Sequence, residues 1–368
     1  MISEATRASG PLGGFRAARR AGLGLAGSVL GAGMLLVPPV TAGLAGDRAP
    51  AAWLITLVVG ASFSACLGLV ARSLPEEHTS IFDVVGATLG DWARRLVLAT
   101  YLAGFVIGQG AIAVAAGHFL GYGLGLPEHA YLLGALVLAL ATVASAGGVV
   151  LGGRVGRLRL AVTGAIALAC CAWPQVFTAS ALLVSDPQWF GGALLVVLFA
   201  GVGWESSARI APGLAGSRTV IRGVAMGAGL VLAGYLLLVV VLSQRLPVEG
   251  AGSSALRGLA VLAAVVLAGY CMTNITTAAR FGHALGGPGG PVTRAGVGAA
   301  GVAVVAIAAL PGWTVAGLLV GPSLAAWLSY LLAMFGGTRC LASGRIRVAC
   351  AAVSALLLVI AASAIRSL

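Results

Sequence analysis

The chain has 368 residues, of which 60% are hydrophobic and only 9% are charged. A soluble domain with so little polar surface would aggregate, so the composition excludes an ordinary globular protein and indicates a polytopic membrane protein. The formal net charge is +12, and every one of the 22 basic residues is arginine.

The beginning of the chain, residues 1–20, is polar and basic and predicts a cytoplasmic N-terminal tail. No small-residue cleavage site closes the apolar run that follows it, which a secretory signal peptide would require.

Charged residues divide the rest of the chain into uncharged windows, each long enough to cross a bilayer at about 20 residues per span. The windows are 21–46, 49–71, 96–127, 130–153, 160–185, 187–204, 223–244, 258–279, 295–338 and 348–365. As one helix, the window 295–338 would be about 66 Å long, roughly twice the thickness of a bilayer. Pro311-Gly312 divides it in two, so the sequence predicts eleven spans.

The arginines report the topology of these spans. With the N-terminus in the cytoplasm, 18 arginines fall in cytoplasmic loops and only four fall outside. Such an excess of positive charge on the inner side is the rule for membrane proteins. We therefore expect a multi-pass protein of the cell (plasma) membrane with a cytoplasmic N-terminus, and the charge does not call for a nucleic-acid partner. The longest polar connection, residues 73–95, predicts a short helix from about Ser80 to Leu89.

Two of the spans carry poor helix formers at their centres. Span 1 contains Gly31-Ala32-Gly33, followed by Pro38-Pro39, which we expect to bend or end its outer half; span 6 contains Gly201-Val202-Gly203. Interrupted helices in corresponding places of two halves are typical of transporters built from inverted repeats. Close packing of helices on small residues is the alternative for each glycine pair taken alone.

Glu205 directly follows the second break, whereas the other nine acidic residues lie outside the apolar spans or at their loop ends. An ionisable residue inside a membrane costs about 3 kcal/mol and is therefore a functional candidate. We expect Glu205 to carry a coupling proton. The alternative is an ion pair with Arg209, one helical turn away at i+4.

The same segments resemble a known family. GAGMLLVPP (31–39) resembles the first-span signature of the amino acid–polyamine–organocation (APC) superfamily of transporters. FAGVGWESSARIAPGLAGSRTVIRG (199–223) resembles the sixth span of that family, and TTAARFGHALGGPGGP (276–291) resembles its eighth-span exit. IGQGAIAVAAGHFL (107–120) resembles the third span of the basic amino acid antiporters within it. The resemblance covers most of residues 15–335.

The resemblance implies an all-α, LeuT-type fold with a 5+5 inverted repeat and broken spans 1 and 6. Residues 21–178 would form the first five-span repeat, residues 187–336 the second, and residues 346–366 an extra C-terminal span. The chain departs from the family at Glu77-His78, where Gly-Gly is usual, and at Gly216-Ser217, where Asn-Pro is usual.

We expect the substrate to bind between the two breaks. Unwound backbone in span 1 frees N–H groups at a half-helix N-terminus, where an α-carboxylate fits. The family implies gating aromatics at Phe199 and Trp204 and an amide near the substrate at Gln109. The expected substrate-binding residues are Gly31, Ala32, Gly33, Gln109, Phe199, Gly201, Gly203 and Trp204. Ordinary packing of the aromatics, and a buried Gln109 bonded to another helix, are the alternatives.

Span 8 carries a candidate ion site. Tyr270, Asn274 and Thr277 lie at i, i+4 and i+7 on one helical face. Asn274 and Thr277 would complete a sodium site as in sodium-coupled relatives, and back-bonding of hydroxyl groups to their own helix is the alternative. Span 5 has no lysine or arginine after Arg159, so the cation that replaces sodium in some proton-coupled relatives is expected to be absent. With Glu205 as the expected charge in the pocket, a neutral or cationic substrate is favoured over an acidic one.

The sequence therefore predicts a secondary active transporter that moves an amino acid or a related amine by alternating access, coupled to protons. Sodium coupling, exchange by the same fold and a non-transporting amino acid sensor are the alternatives. We find no enzyme motif, cofactor motif or metal-ligand spacing, and we expect the six cysteines to be buried packing residues. The expected partners are the amino acid, a proton or sodium ion and the lipid bilayer, with oligomerisation left open.

Overall fold

The computed structural model describes residues 11–75, 80–149, 151, 153–172, 177, 189–243, 254–311, 313–340 and 343–366. Residues 1–10 of the predicted tail, Glu77-His78 and part of the window 160–185 lie outside these residues. Within the described residues the chain is helical and contains no strand.

The helices follow the uncharged windows of the sequence. In chain order they are α1 (Pro11–Val29), α2 (Gly33–Ala45), α3 (Ala49–Ala71), α4 (Ile81–Leu89), α5 (Asp91–Leu124), α6 (Ala130–Ala146), α7 (Gly153–Ala172), α8 (Phe190–Ala200), α9 (Ser207–Ile210), α10 (Ser217–Ser243), α11 (Ser254–Ala284), α12 (Pro291–Ala308), α13 (Val315–Cys340) and α14 (Gly344–Arg366). Short 3₁₀ turns lie at Gly46–Arg48, Pro127–His129, Trp204–Ser206 and Ala211–Gly213. The division of the window 295–338 is confirmed, because α12 and α13 are separate helices.

The chain is a multi-pass membrane protein. Among the described residues, eight helical stretches are long and apolar enough to cross a membrane, or nine if Phe190–Ala200 and Trp204–Gly213 form one bent span. Outer faces of the bundle are apolar: Leu132, Leu136 and Leu140 of α6 follow one another at i+4 and each is more than half exposed. Such a stripe suits a lipid environment and would be a liability in water. The figure of eleven spans stays a prediction.

The predicted short helix in the polar connection is confirmed as α4. The Ser80 hydroxyl oxygen caps it by accepting a hydrogen bond from the Asp83 N–H at 3.2 Å, which satisfies one of the free amides of the first turn. Ile81, Val84 and Val85 form its buried face, which packs against α5 and α13. The helix therefore belongs to the bundle rather than lying free in solvent.

Pro38-Pro39 do not end the outer half of the first interrupted helix, because α2 continues to Ala45. Each proline removes a backbone hydrogen bond, and membrane helices tolerate this loss where protein surrounds them. All thirteen residues of α2 are buried. Next to the prolines, the Thr41 hydroxyl donates to the Pro38 carbonyl at 3.0 Å and accepts from Trp53 Nε1 at 2.7 Å, which ties α2 to α3.

The centre of the bundle is α5, which packs against α4, α6, α11 and α13. α1 packs along α10, whereas α2 and α8 pack against each other and against α3. Both interrupted helices therefore have their breaks inside the protein. Irregular backbone at membrane depth is tolerated in such a setting, since neighbouring protein or a water-filled cavity satisfies its polar groups.

Candidate functional site

The first interrupted helix is unwound between the end of α1 and the beginning of α2. Among the described residues, the N–H groups of Gly31, Ala32 and Gly33 have no hydrogen-bond acceptor. They lie at the N-terminus of α2, where the helix dipole adds partial positive charge. Backbone N–H groups in this position form a receptor for an anionic group.

The second interrupted helix breaks at residues 201–203, between α8 and the 3₁₀ turn that follows. Gly203 has a φ of +129°, a conformation that residues with a side chain rarely adopt. Beyond this residue the chain departs from the direction of α8 by 41°. Glycine at this position therefore permits the bend.

The two breaks lie against each other, although they are far apart in the sequence. A Cβ atom on Gly203 would overlap the carbonyl group of Ser28, at the end of α1. A Cβ atom on Gly33 would lie 3.1 Å from the Ala200 Cα and 2.9 Å from the Tyr235 hydroxyl oxygen. The absence of side chains at these two glycines lets the backbones of the two breaks come into contact.

Glu205 is held beside the second break by two hydrogen bonds. Its Oε2 accepts from the Gly203 N–H and from the Tyr330 hydroxyl, each at 2.8 Å. The Tyr330 hydroxyl is also 2.9 Å from the Gly201 carbonyl oxygen, and it has one hydrogen to offer to these two acceptors. Tyr330 comes from α13, and its ring stacks on Phe63 of α3 at a centroid distance of 3.9 Å.

The alternative that Glu205 pairs with Arg209 is wrong. Among the described residues, no cationic group lies within 4.0 Å of the Glu205 carboxylate. The Arg209 side chain is exposed. Glu205 therefore has neutral hydrogen-bond donors as its partners.

A cavity of about 1230 Å³ lies beside both breaks. Its wall is built from α1, α2, α4, α5, α7, α8, α9, α11 and α13, together with the residues of the first break and with Val202 and Gly203 of the second. Leu23, Arg157 and Arg209 are exposed residues of this wall, so one end of the cavity is open to solvent. Glu205 is the carboxylate in the described wall, and Arg157, Arg159 and Arg209 are its cations.

Arg159 overturns two expectations from the sequence. Because α7 begins at Gly153, Arg159 lies within the helix rather than in the preceding loop. Its Nη1 donates to the Gly269 carbonyl and to the Thr273 hydroxyl on α11, each at 2.6 Å. A cation from α7 therefore does reach α11, and Glu205 is not the lone charge of the cavity.

Most of the predicted site residues come together in the cavity wall. Tyr270, Asn274 and Thr277 of α11 all line it, as their spacing predicts. The other predicted residues in the wall are Gly31, Ala32, Gly33, Phe199, Gly203 and Glu205.

Three predicted substrate-binding residues are outside the described cavity wall. Gln109 is fully buried and its Nε2 donates to the Val297 carbonyl of α12 at 2.8 Å, so its amide is used between helices. Trp204 is 2% exposed, and its indole packs so closely on α3 that a Cβ atom on Gly60 would overlap it. Gly201 is buried and faces Tyr330 through its carbonyl group.

Sequence reasoning missed Arg159 and Tyr330. For Arg159 the missing information was where α7 begins, since a turn or two moves an arginine from a loop into the cavity wall. For Tyr330 the sequence offers no local signal, because the residue reaches Glu205 from a helix more than a hundred residues away.

The fold and the cavity define a class of protein, a multi-pass membrane protein with interrupted helices around a central site. No protein-family model matches the chain, and no curated protein matches its sequence. Its structure is similar to the crystal structure of a manganese transporter from Eremococcus coleocola, solved in complex with an aromatic bis-isothiourea substituted compound. The TM-score is 0.54 at 13% identity, covering 95% of this chain and 86% of that one. The chain therefore shares the fold of that solved structure over nearly its whole length.

Proposed function

We propose that this protein is a secondary active transporter of an amino acid or a related amine that works by alternating access. The observation that carries the proposal is the contact between two interrupted helices beside a solvent-accessible cavity. The wall of this cavity contains the free backbone N–H groups of the first break. Interrupted helices that meet near the middle of the membrane form the substrate sites of many secondary transporters. The transporter fold of nearly the whole chain supports the same function.

The proposed architecture is a LeuT-type fold. Residues 21–178 and 187–336 form two inverted five-span repeats, and residues 346–366 add an eleventh span. The arginine distribution supports a plasma-membrane protein with a cytoplasmic N-terminus. In that orientation the cavity opens to the cytoplasm, because the exposed part of its wall includes Arg157 and Arg209. This geometry corresponds to the inward-open state of the transport cycle.

The breaks supply partners for both charged groups of an amino acid. An α-carboxylate accepts hydrogen bonds from the N–H groups of Gly31, Ala32 and Gly33. An α-ammonium group is placed near the backbone carbonyls of the second break and the Glu205 carboxyl group. The ring of Phe199, which lines the same cavity, covers apolar parts of the substrate.

The structural neighbour is a manganese transporter, but a manganese ion suits the cavity of this chain poorly. Hard divalent cations select sites with several oxygen ligands, carboxylates foremost. The described cavity wall offers one carboxylate and three arginines, and the described residues contain no group of three histidine, cysteine or acidic side chains that could hold a metal ion. An organic substrate is therefore preferred.

Proton coupling is proposed to act through Glu205, Tyr330 and the Gly201 carbonyl. When Glu205 is ionised, the single Tyr330 hydrogen bonds the carboxylate. When Glu205 is protonated, its own O–H donates to the Tyr330 oxygen, and the Tyr330 hydrogen turns to the Gly201 carbonyl. Protonation thereby adds a hydrogen bond to the backbone of the second break, which links the proton to the conformation of that helix.

Sodium coupling through Asn274 and Thr277 is the less favoured alternative. The Thr277 hydroxyl donates to the Thr273 carbonyl of its own helix at 2.8 Å. The Thr273 hydroxyl, on the same helix as Thr277, accepts a hydrogen bond from the Arg159 guanidinium of α7. A fixed positive charge so close to the candidate site repels a cation, which favours the proton as the coupling ion.

The proposal is tested by uptake of radiolabelled amino acids into proteoliposomes under an inward proton gradient. We expect the wild type to accumulate at least one amino acid. Glu205→Gln should lower gradient-driven accumulation about ten-fold or more while exchange persists, because a glutamine side chain cannot take up and release a proton. Glu128→Gln, at an exposed glutamate, is the matched control and should behave like the wild type. The proposal fails if no amino acid moves, and the role of Glu205 fails if Glu205→Gln accumulates substrate normally.

A further inference from the structure

Arg159 is fixed in the cavity wall by several contacts. Its Nη1 is engaged by the Gly269 carbonyl and the Thr273 hydroxyl at 2.6 Å, and its guanidinium carbon lies 4.0 Å from the centroid of the Tyr270 ring. The Tyr270 hydroxyl is in turn 3.2 Å from the Thr163 hydroxyl of α7. These contacts hold the guanidinium in one orientation.

The positive charge of Arg159 has no counter-ion in the described chain. Ion pairs among the described residues join Arg94 and Arg95 to nearby aspartates and His129 to Glu128, and none involves Arg159. Its Nε is buried without a hydrogen-bond partner among the described residues. An unpaired, partly buried charge destabilises a protein unless an anion offsets it, so the group is suited to an anion that comes from outside the chain.

The cavity as a whole also favours a negative ligand. Three arginines and one glutamate line the described wall, a formal charge of +2. Like charges in a cleft focus the field and raise the local concentration of ligands of opposite sign. This charge favours an anionic substrate over the neutral or cationic one that the sequence alone supported.

Tyr270 places Arg159 next to the first break. A Cβ atom on Gly31 would lie 3.4 Å from the edge of the Tyr270 ring, whereas the guanidinium stacks on the face of the same ring. Two receptors for anionic groups, the free N–H groups of the break and the guanidinium, therefore flank one aromatic side chain.

We propose that Arg159 determines specificity for an amino acid with a second carboxylate, that is, an acidic amino acid. The α-carboxylate binds the N–H groups of Gly31, Ala32 and Gly33, and the side-chain carboxylate binds Arg159. This inference rests on the proposed amino acid site and goes beyond it by naming the substrate class.

The test compares L-glutamate with L-glutamine, which have the same shape and differ in one charge. Binding of each to the purified full chain is measured by calorimetry and thermal stabilisation. We expect the wild type to bind glutamate at least about ten-fold more tightly, because a hydrogen bond to a charged group is worth that factor or more. In Arg159→Gln the glutamate-to-glutamine affinity ratio should fall about ten-fold, towards one. Arg280→Gln, at an exposed arginine on α11 outside the described cavity wall, should keep the wild-type ratio.

The ratio separates specificity from a purely structural role of Arg159, because general loosening of the α7–α11 contact weakens both ligands alike. Arg159→Lys keeps the charge without the planar fork and should retain part of the preference for glutamate. The inference is overturned if neither ligand binds the wild type, or if Arg159→Gln keeps the wild-type ratio. Transport of other amino acids with no preference for glutamate would overturn this inference alone. Binding of glutamate without any flux would overturn the transport proposal alone.

Discussion

Replacing Tyr330 with phenylalanine removes one oxygen atom and leaves the ring in place against Phe63. The Glu205 carboxylate then keeps the Gly203 N–H and loses the hydroxyl, and the Gly201 carbonyl loses its hydroxyl partner as well. A hydrogen bond to a charged group contributes about 1.5–3 kcal/mol. The ionised state loses this hydrogen bond, and the protonated state loses the one that Tyr330 donates to the Gly201 carbonyl, so protonation of Glu205 no longer changes the hydrogen bonding of the second break.

The assay compares two modes of transport in proteoliposomes. Net uptake requires the carrier to release its proton and return empty, whereas exchange of internal for external substrate does not. We expect Tyr330→Phe to lower proton-driven net uptake about ten-fold or more, as the lost hydrogen bond implies, and to leave exchange nearly unchanged. Tyr131→Phe, on α6 where the ring contacts His118, is the control and should change neither mode. Equal losses of uptake and exchange in Tyr330→Phe would refute the coupling argument and leave Tyr330 a structural residue.

Two further predictions concern stability. Gly203→Ala should destabilise the protein by about 1–3 kcal/mol or more, because the φ of Gly203 is +129° and the new Cβ would overlap the Ser28 carbonyl. Gly213→Ala is the control, since nothing lies within 4 Å of its new Cβ atom. Equal melting temperatures for the two variants would contradict the reasoning. Arg95 Nε lies 2.7 Å from the Asp91 carboxylate, but both side chains are more than 60% exposed. Arg95→Ala should therefore change the free energy of unfolding by less than about 0.5 kcal/mol. A larger loss of stability, measured by unfolding in detergent, would contradict this prediction.

Local features of the fold could be predicted because they depend on neighbouring residues. Ser80 with Asp83 three residues later specifies the beginning of α4. Pro311 lies between α12 and α13, because proline interrupts the hydrogen bonds of a helix that would otherwise be twice the thickness of a bilayer. The positions of both helix breaks follow in the same way from glycine, which allows the backbone conformation that Gly203 adopts.

Other features depended on contacts that a sequence pattern does not contain. Pro38-Pro39 were expected to bend or end a helix, yet α2 continues because all of its residues are enclosed by protein. Gln109 was expected near the substrate, and its amide bonds α12 instead, since the rotation of α5 about its axis decides which neighbour each of its faces meets. The same rotation about a helix axis turns Trp204 towards α3 and away from the cavity.

By itself the sequence determined that the chain is a multi-pass helical membrane protein and where its helices are interrupted, because hydropathy, charge and glycine content act over a few residues. Only the tertiary structure decided the electrostatics of the site. The hydroxyl of Tyr330 reaches Glu205 from α13, and the guanidinium of Arg159 reaches α11 from α7. Charges and hydrogen bonds act through distance in space. The sign of the net charge that lines the cavity therefore depends on which helices pack together and on where each of them begins.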